Sequence, residues 1–415
     1  MFLVPPRSRG RVADPSAQVS KSAPATTIAP VTQPEAAEAA GELIAALAPV
    51  GAADQAASPT RERQFVRPKQ TSGVTVLIPA YNEANFISET LRSVLAQTLQ
   101  PDEVIVVDDL SNDGTGEVAR RFGVTVVRPE RNSGSKAGAL NHGLTFVKTP
   151  YTLAIDADTI LEHDAIERLV DAVDTGDPHY DRRLAGVCGY VIPRNVRTMW
   201  ERGRYIEYLF AFTIYKPIQD YYERPLIASG CFSMYRTDIL RTLGGWPSRT
   251  LAEDMDLTWK CYEAGYRIRF VQEAVCYPVE PHNYAFMRKQ LRRWTRGFFQ
   301  CVRVHWQDLL KVPYLRTIVA VAMWDATVAT LAFFVMLPLL AIFISPLFLL
   351  GYFIDLPAVL VPVLFKAAQR GEVLKALASI PGFYVLRVVN GVFVLSAFWN
   401  EIILGRTLHT FEKGH

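Results

Sequence analysis

Val74-Thr75-Val76-Leu77-Ile78-Pro79-Ala80-Tyr81-Asn82-Glu83 is the stretch that decides the fold. The β-branched run Val74–Ile78 reads as a strand, and a polar cluster with a ring and a carboxylate follows at once. The pattern repeats outward. Glu103–Val107 ends in Asp108-Asp109-Leu110-Ser111-Asn112-Asp113-Gly114-Thr115, Val124–Val127 is a further strand, and Thr152–Ile155 ends in Asp156-Ala157-Asp158. Between the strands, Ile87, Leu91, Val94 and Leu95 recur at helical spacing, and a second helix is predicted over Thr115–Phe122. Strands alternating with helices predict an α/β domain, Rossmann-like, with a mostly parallel twisted sheet and helices on both faces. In such sheets ligands sit beyond the carboxyl ends of the strands, where these polar clusters fall.

The 415 residues are 50% hydrophobic and 20% charged, with a formal net charge of +3. That balance, without long blocks of like charge, speaks against a nucleic-acid partner. Cys188, Cys231, Cys261, Cys276 and Cys301 are scattered singly, which argues against a disulfide framework or a zinc site and suits a reducing compartment. Residues 1–72 are rich in Ala, Pro, Ser, Thr and Gln, and are expected to be disordered apart from a transient helix at Glu35–Leu47. The basic start lacks the apolar core of a signal peptide. Thr317–Ile354 is apolar with the single charge Asp325, long enough for two spans or for one span and a re-entrant piece. Ala376–Leu404 is another candidate span. The basic residues before the first apolar region (Arg288 to Arg316) and between the two (Lys366, Arg370, Lys375) predict a multi-pass protein of the cell membrane with a cytoplasmic catalytic domain. The expected divisions are 1–72, a catalytic domain over 73–285, an interfacial helix over 286–313 and a membrane region over 314–408.

Six clusters carry the chemistry. Tyr81 and Glu83 suit a nucleobase by stacking and hydrogen bonding; a helix N-cap at Asn82 or Asn85 is the structural alternative. Of Asp108 and Asp109, one caps the following helix and the other accepts from an imide N–H such as that of uracil. Ser133-Gly134-Ser135-Lys136 places glycine and a lysine at a helix start, a natural diphosphate site, or else an ordinary loop. Asp156 and Asp158 point opposite ways in extended chain, so one faces a divalent metal (Mg or Mn) completed by diphosphate oxygens. Glu253, Asp254 and Asp256 open a helix through Leu257 and Cys261; a general base is needed to take a proton from an attacking hydroxyl, and Asp254 is assigned that part. Gln290, Arg293 and Trp294 share one helical face, with Trp294 a platform for a ring and Arg293 a fork for diphosphate, on a helix that also suits anionic lipid. Met199 to Tyr222 is aromatic-rich, and reads as an interfacial or a core helix.

In order and spacing, these residues resemble the family-2 inverting glycosyltransferases of the GT-A fold, and among them the membrane polysaccharide synthases. The resemblance covers about residues 74–310, and its most specific piece is Gln290–Trp294. It implies a UDP-sugar donor bound by Tyr81, Glu83, Asp109, Lys136 and Asp156, metal on Asp158, Asp254 as base supported by Glu253, and Gln290, Arg293 and Trp294 at diphosphate and acceptor. Ser229-Gly230-Cys231-Phe232 resembles the stretch that borders the acceptor. The implied acceptor is a growing glycan, with a single transfer to a polyprenyl-phosphate or glycolipid as the alternative. Ala252 departs from the pattern, as does the lack of an apolar span before the domain.

Overall fold

The structure is a computed structural model that describes residues 71–173 and 183–408. The expected disordered segment, save Thr71 and Ser72, and the helix at Glu35–Leu47 lie outside the described residues.

The chain folds as β1 (Val74–Ala80), α1 (Ile87–Leu95), β2 (Glu103–Asp108), α2 (Thr115–Arg120), β3 (Thr125–Val127), α3 (Lys136–Leu144), β4 (Tyr151–Ile155), β5 (Ile160–Leu161) and α4 (Ala165–Val173). It continues through β6 (Leu184–Val191), α5 (Met199–Phe210), a π-helical turn at Ala211–Tyr215, α6 (Lys216–Tyr221), β7 (Phe232–Arg236), α7 (Thr237–Thr242), α8 (Glu253–Glu263), β8 (Arg267–Tyr277) and α9 (Tyr284–Lys311). Three helices long and apolar enough to cross a membrane follow: α10 (Pro313–Phe343), α11 (Pro346–Gln369) and α12 (Val373–Ile403).

The eight strands form one sheet in the order β3-β2-β1-β4-β7-β6-β8-β5. Pairing is parallel for β1 with β2 and β4, β2 with β3, and β6 with β8. Strand β7 runs antiparallel between β4 and β6, and β5 antiparallel to β8. The mostly parallel reading therefore holds, with antiparallel insertions in the half of the sheet whose strands sequence patterning did not single out. Val76, Leu77 and Ile78 of β1 and Ile105, Val106 and Val107 of β2 are fully buried. Apolar side chains on both faces are what a central parallel strand requires.

Local starts and stops differ in places from expectation. Helix α2 ends at Arg120 and not Phe122. The cap expected at Asn82 or Asn85 falls on Phe86, with the Glu83 carbonyl accepting from Phe86 and Ile87 N–H at 2.9 Å each. Asn82 instead takes a left-handed φ of 56° and its side chain accepts from Asn112 N–H at 3.0 Å, joining the ends of β1 and β2.

Helices α10 and α11 form an antiparallel hairpin turning at residues 344–345, with Phe333 against Tyr352 at 4.5 Å between ring centres. Arg387 of α12 pairs with Asp355 of α11 at 2.7 Å. The first apolar run, expected to hold two spans or one span and a re-entrant piece, divides at residues 344–345 into α10 and α11, and the basic interval at Lys366–Lys375 falls where α11 gives way to α12.

Candidate active site

Helix α3 begins at Lys136, with Ser135 as its cap accepting from Gly138 N–H at 3.1 Å. This start aims Lys136 across the carboxyl end of the sheet. Its ammonium ion-pairs with Asp156 at the end of β4, lies 3.7 Å from Glu253 at the start of α8, and donates to the Gly230 carbonyl at 3.1 Å. Burial alone would lower the Lys136 pKa; Asp156 and Glu253 reverse that and hold it well above the ordinary lysine value. For Glu253, burial pushes the carboxyl up, and Lys136 and Arg293 offset only part of the rise.

Asp254 is gripped by backbone. Its Oδ2 accepts from Gly230 N–H and its Oδ1 from Met255 N–H, each at 2.8 Å. A Cβ at position 230 would stand 2.8 Å from Asp254 Oδ2, so the approach requires glycine there. Lys136, Asp156, Glu253 and Asp254, drawn from three places in the chain, thus meet around the Gly230 peptide.

The residues after β1 and β2 form an adjoining wall. Asp109 is buried and accepts from Ser133 N–H at 2.8 Å and from Ser133 Oγ at 2.7 Å, which ties the second strand's end to the loop that launches α3. Asp108 is buried as well, but faces the other way: it accepts from Ser111 N–H at 2.9 Å and lies 3.7 Å from Arg128. Of the two adjacent acids, Asp108 holds the turn and Asp109 reaches the loop of the cleft. Tyr81 is 44% exposed at the rim, and the backbone N–H of the buried Glu83 donates to Thr115 Oγ1 at 2.8 Å.

Asp158 is half-buried beside Asp156. Among the described residues no three His, Cys, Asp or Glu side chains converge as a metal site. One hard carboxylate at a strand end, next to a lysine already paired with its neighbour, fits a divalent cation whose remaining ligands are phosphate oxygens and water.

Helix α9 closes the cleft. Gln290 and Trp294 meet on Arg204 of α5: Arg204 donates to Gln290 Oε1 at 2.9 Å and its guanidinium stacks over the Trp294 ring at 4.5 Å. The same guanidinium pairs with Glu207 at 2.7 Å and Glu280 at 3.6 Å, and Tyr208 donates to Glu280 at 2.7 Å. Burial raises the Glu280 pKa against the pull of Arg204. Arg293 bears electrostatically on Glu253, so Gln290 and Trp294 serve the α5 side and Arg293 the acid cluster. Arg204 and Glu280 were not foreseen, and Tyr208 was read only as one ring of the aromatic segment Met199–Tyr222. Glu280 follows β8 as Asp109 and Asp156 follow their strands, a signal that was present; Arg204 carries none, being one of four charged residues in an aromatic-rich helix.

Residues 75–244 match the model of the glycosyl transferase family 2. The poly-β-1,6-N-acetyl-D-glucosamine synthase of Staphylococcus aureus (strain MSSA476) is 29% identical over 232 residues, 55% of this chain and 55% of that protein. The synthase of the same name from Staphylococcus epidermidis is 29% identical over 233 residues, with the same shares. The matched stretch spans about half the length of these curated relatives. Among solved structures, the mannosyltransferase PcManGT from Pyrobaculum calidifontis, in complex with GDP-Man and Mn2+, superposes with a TM-score of 0.52 at 22% identity, covering 79% of this chain and 86% of that one. The sheet is thus of the GT-A type. Residues 75–244 are thus similar to the glycosyl transferase family 2 domain, and the likeness runs through the stretch shared with the two synthases.

Proposed function

We propose that this protein is a membrane-bound inverting glycosyltransferase that moves a sugar from a UDP-sugar to a growing β-linked polysaccharide. The observation that carries the reading is the Asp254 carboxylate, fixed by two backbone N–H groups beside the Lys136–Asp156–Glu253 cluster. The names of the curated relatives support the polymer product.

Tyr81, Glu83 and Asp109 take the uridine end of the donor, and Lys136, Asp156 and Arg293 bear on its diphosphate. The acceptor hydroxyl gives its proton to Asp254 as its oxygen attacks the anomeric carbon. The bond from that carbon to the diphosphate oxygen breaks on the opposite face, and UDP leaves with the electron pair. A carboxylate whose two oxygens are already oriented loses little freedom in this step. Glu253 keeps Lys136 in register, and Trp294 offers its face to the acceptor ring. A divalent cation, Mg or Mn, held through Asp158 would add positive charge where the diphosphate departs. Cationic residues around α9 and between α11 and α12 support a catalytic domain on the cytoplasmic side, with the tip of the α10–α11 hairpin inserted in the cell membrane.

The test is a screen of radiolabelled UDP-sugars with membranes containing the full chain, followed by sizing of the product. A ladder of polymer is expected; one lipid-soluble adduct would assign single transfer to a lipid acceptor, and no transfer from any UDP-sugar would overturn the donor. Asp254→Asn should lower transfer at least ~100-fold while leaving UDP affinity within a few-fold, as titration calorimetry would record. Asp158→Ala should weaken UDP binding only when metal is present; equal metal dependence in both proteins would remove Asp158 from that part.

A further inference from the structure

We infer that the seam between α9 and α12 is a binding site for the phosphate headgroup of an anionic phospholipid, with α12 lying in the plane of the leaflet and not across it. The inference rests on the membrane-bound reading above and not on the sugar chemistry.

Length and apolarity alone make α12 a candidate span, but both of its ends are fastened to the catalytic domain. At the start, Glu372 accepts from Tyr205 of α5 at 2.8 Å. Ten residues on, a Cβ on Gly203 of α5 would sit 2.8 Å from the Gly382 carbonyl oxygen, so the two backbones touch. Asn390 then bonds Glu207 of α5. At the far end Glu401 accepts from Gln300 of α9 at 3.1 Å and pairs with Arg296 at 3.4 Å. Helices α5 and α9 carry Glu201, Arg202, Arg204 and Glu207, and Arg288, Lys289, Arg292, Arg293, Arg296 and Arg303, far too many charges to lie inside hydrocarbon. A helix resting along two such supports cannot have its ends on opposite sides of a layer ~30 Å thick. Its outward side chains, among them Leu377, Val385, Val388, Val392 and Trp399, are exposed and apolar, as for a helix half sunk in a leaflet.

That disposition sets the outer arginines of α9 at headgroup depth. Arg288, Arg292 and Arg296 recur every fourth residue, and with Thr295 they face Phe393 and Ala397 of α12 across a cavity of about 200 Å³ whose lining contains no acid. Guanidinium forks bind phosphate oxygens bidentately, and the α12 wall offers apolar surface to the first carbons of the acyl chains. Gln290 and Trp294 lie about 200° around the same helix from Arg288 and Arg292. A lipid in the seam therefore steadies the helix that carries them.

Two measurements on the full chain decide the matter. Gln369→Cys and Arg406→Cys flank α12; in sealed vesicles of known orientation an impermeant maleimide should label both from the same side as Arg121→Cys in the catalytic domain. Labelling from opposite sides overturns the proposal. Native mass spectrometry of detergent-purified protein should show phosphatidylglycerol retained several-fold better than phosphatidylcholine, and Arg288→Gln/Arg292→Gln should lose that preference. Arg288→Lys/Arg292→Lys, which keeps the charge without the forks, should hold an intermediate amount, and Arg303→Gln, outside the cavity, should retain it. Equal retention by the double glutamine variant, or an equal loss in Arg303→Gln, overturns the site, as does competition by inorganic phosphate at the lipid's own concentration. A protein washed from membranes by carbonate defeats the membrane-bound reading as well, whereas a missing lipid preference in a membrane-held, active enzyme defeats this inference alone.

Discussion

The Arg204 guanidinium stacks on Trp294, donates to Gln290, and neutralises Glu207 and Glu280 inside the protein. Removing one partner of a buried charge group leaves the others uncompensated, at a cost of about 3–5 kcal/mol. Arg204→Met should therefore lower the unfolding midpoint and cut transfer at least ~10-fold. Arg204→Met/Glu280→Gln removes the orphaned charge, and should recover much of the thermal stability while transfer stays low; full recovery of both would make the arginine a matter of folding only. At this scale Asp109 and Asp156 were legible because each stands directly after an apolar strand, where chain geometry delivers it to the sheet's end, and Glu253 and Asp254 because they open a helix. Asp108 and Asp109 show the limit: identical neighbours in sequence, they diverge because successive side chains of extended chain point to opposite sides. Arg204 was beyond reach, since its partners Glu280 and Gln290 come from far along the chain and no local pattern announces them.

The contact of α9 with α8 governs the cleft's geometry at the level of elements. A Cβ on Gly297 would come within 2.8 Å of Ala252 Cβ, just before the acids that open α8, and Gln300 Oε1 accepts from Leu251 N–H at 2.9 Å. Gly297→Val should push α9 off this seat and reduce transfer by an order of magnitude or more, with circular dichroism unchanged. One turn on from Cys301, the buried His305 bonds Asp256 at 2.9 Å and also contacts Glu263. Burial works against its charged form, yet the two carboxylates raise its pKa to about 9. A group raised in this way stabilises the fold fully below its ordinary value near 6.5 and loses that contribution as pH climbs through about 9. Wild-type protein should accordingly lose stability, of order 2 kcal/mol, between pH 6.5 and 9.5 relative to His305→Gln in thermal melts; parallel curves would show that the imidazole is uncharged throughout. Strands β1 to β4 were readable from their β-branched runs, and α8 and α9 from helical spacing. The antiparallel strand β7 and the long β8 were passed over, as β8 mixes charged with apolar residues along its length and lacks a clean alternation.

For the molecule as a whole, the α/β order of the first half made a sheet with strand-end chemistry legible, and composition marked where the chain becomes apolar. What composition lacks is direction. Hydropathy rates α12 as it rates a span, and only its hydrogen bonds to α5 and α9 reveal that it runs along the domain. The tail after it is stitched down too: Leu408 carbonyl accepts from Gln300 at 2.9 Å and Thr407 from Arg303 at 2.6 Å. A chain ending at Leu404 should stay in membranes but lose transfer about 5- to 10-fold as α9 loosens, which sedimentation and turnover assays would separate.

The apolar part leaves the domain beside Tyr222, where Tyr314 packs at 5.3 Å, comes back where Lys366 lies over Tyr190, and is held again at Glu401. Three such moorings give the enzyme a fixed standing height over the lipid surface. In the mechanism proposed above, Asp254 then works like a tool on a rigid stand: it reaches only hydroxyls presented at one elevation. Acceptors on tethers too short or too long for that elevation are screened out by stature alone, before any pocket has examined which sugar they carry.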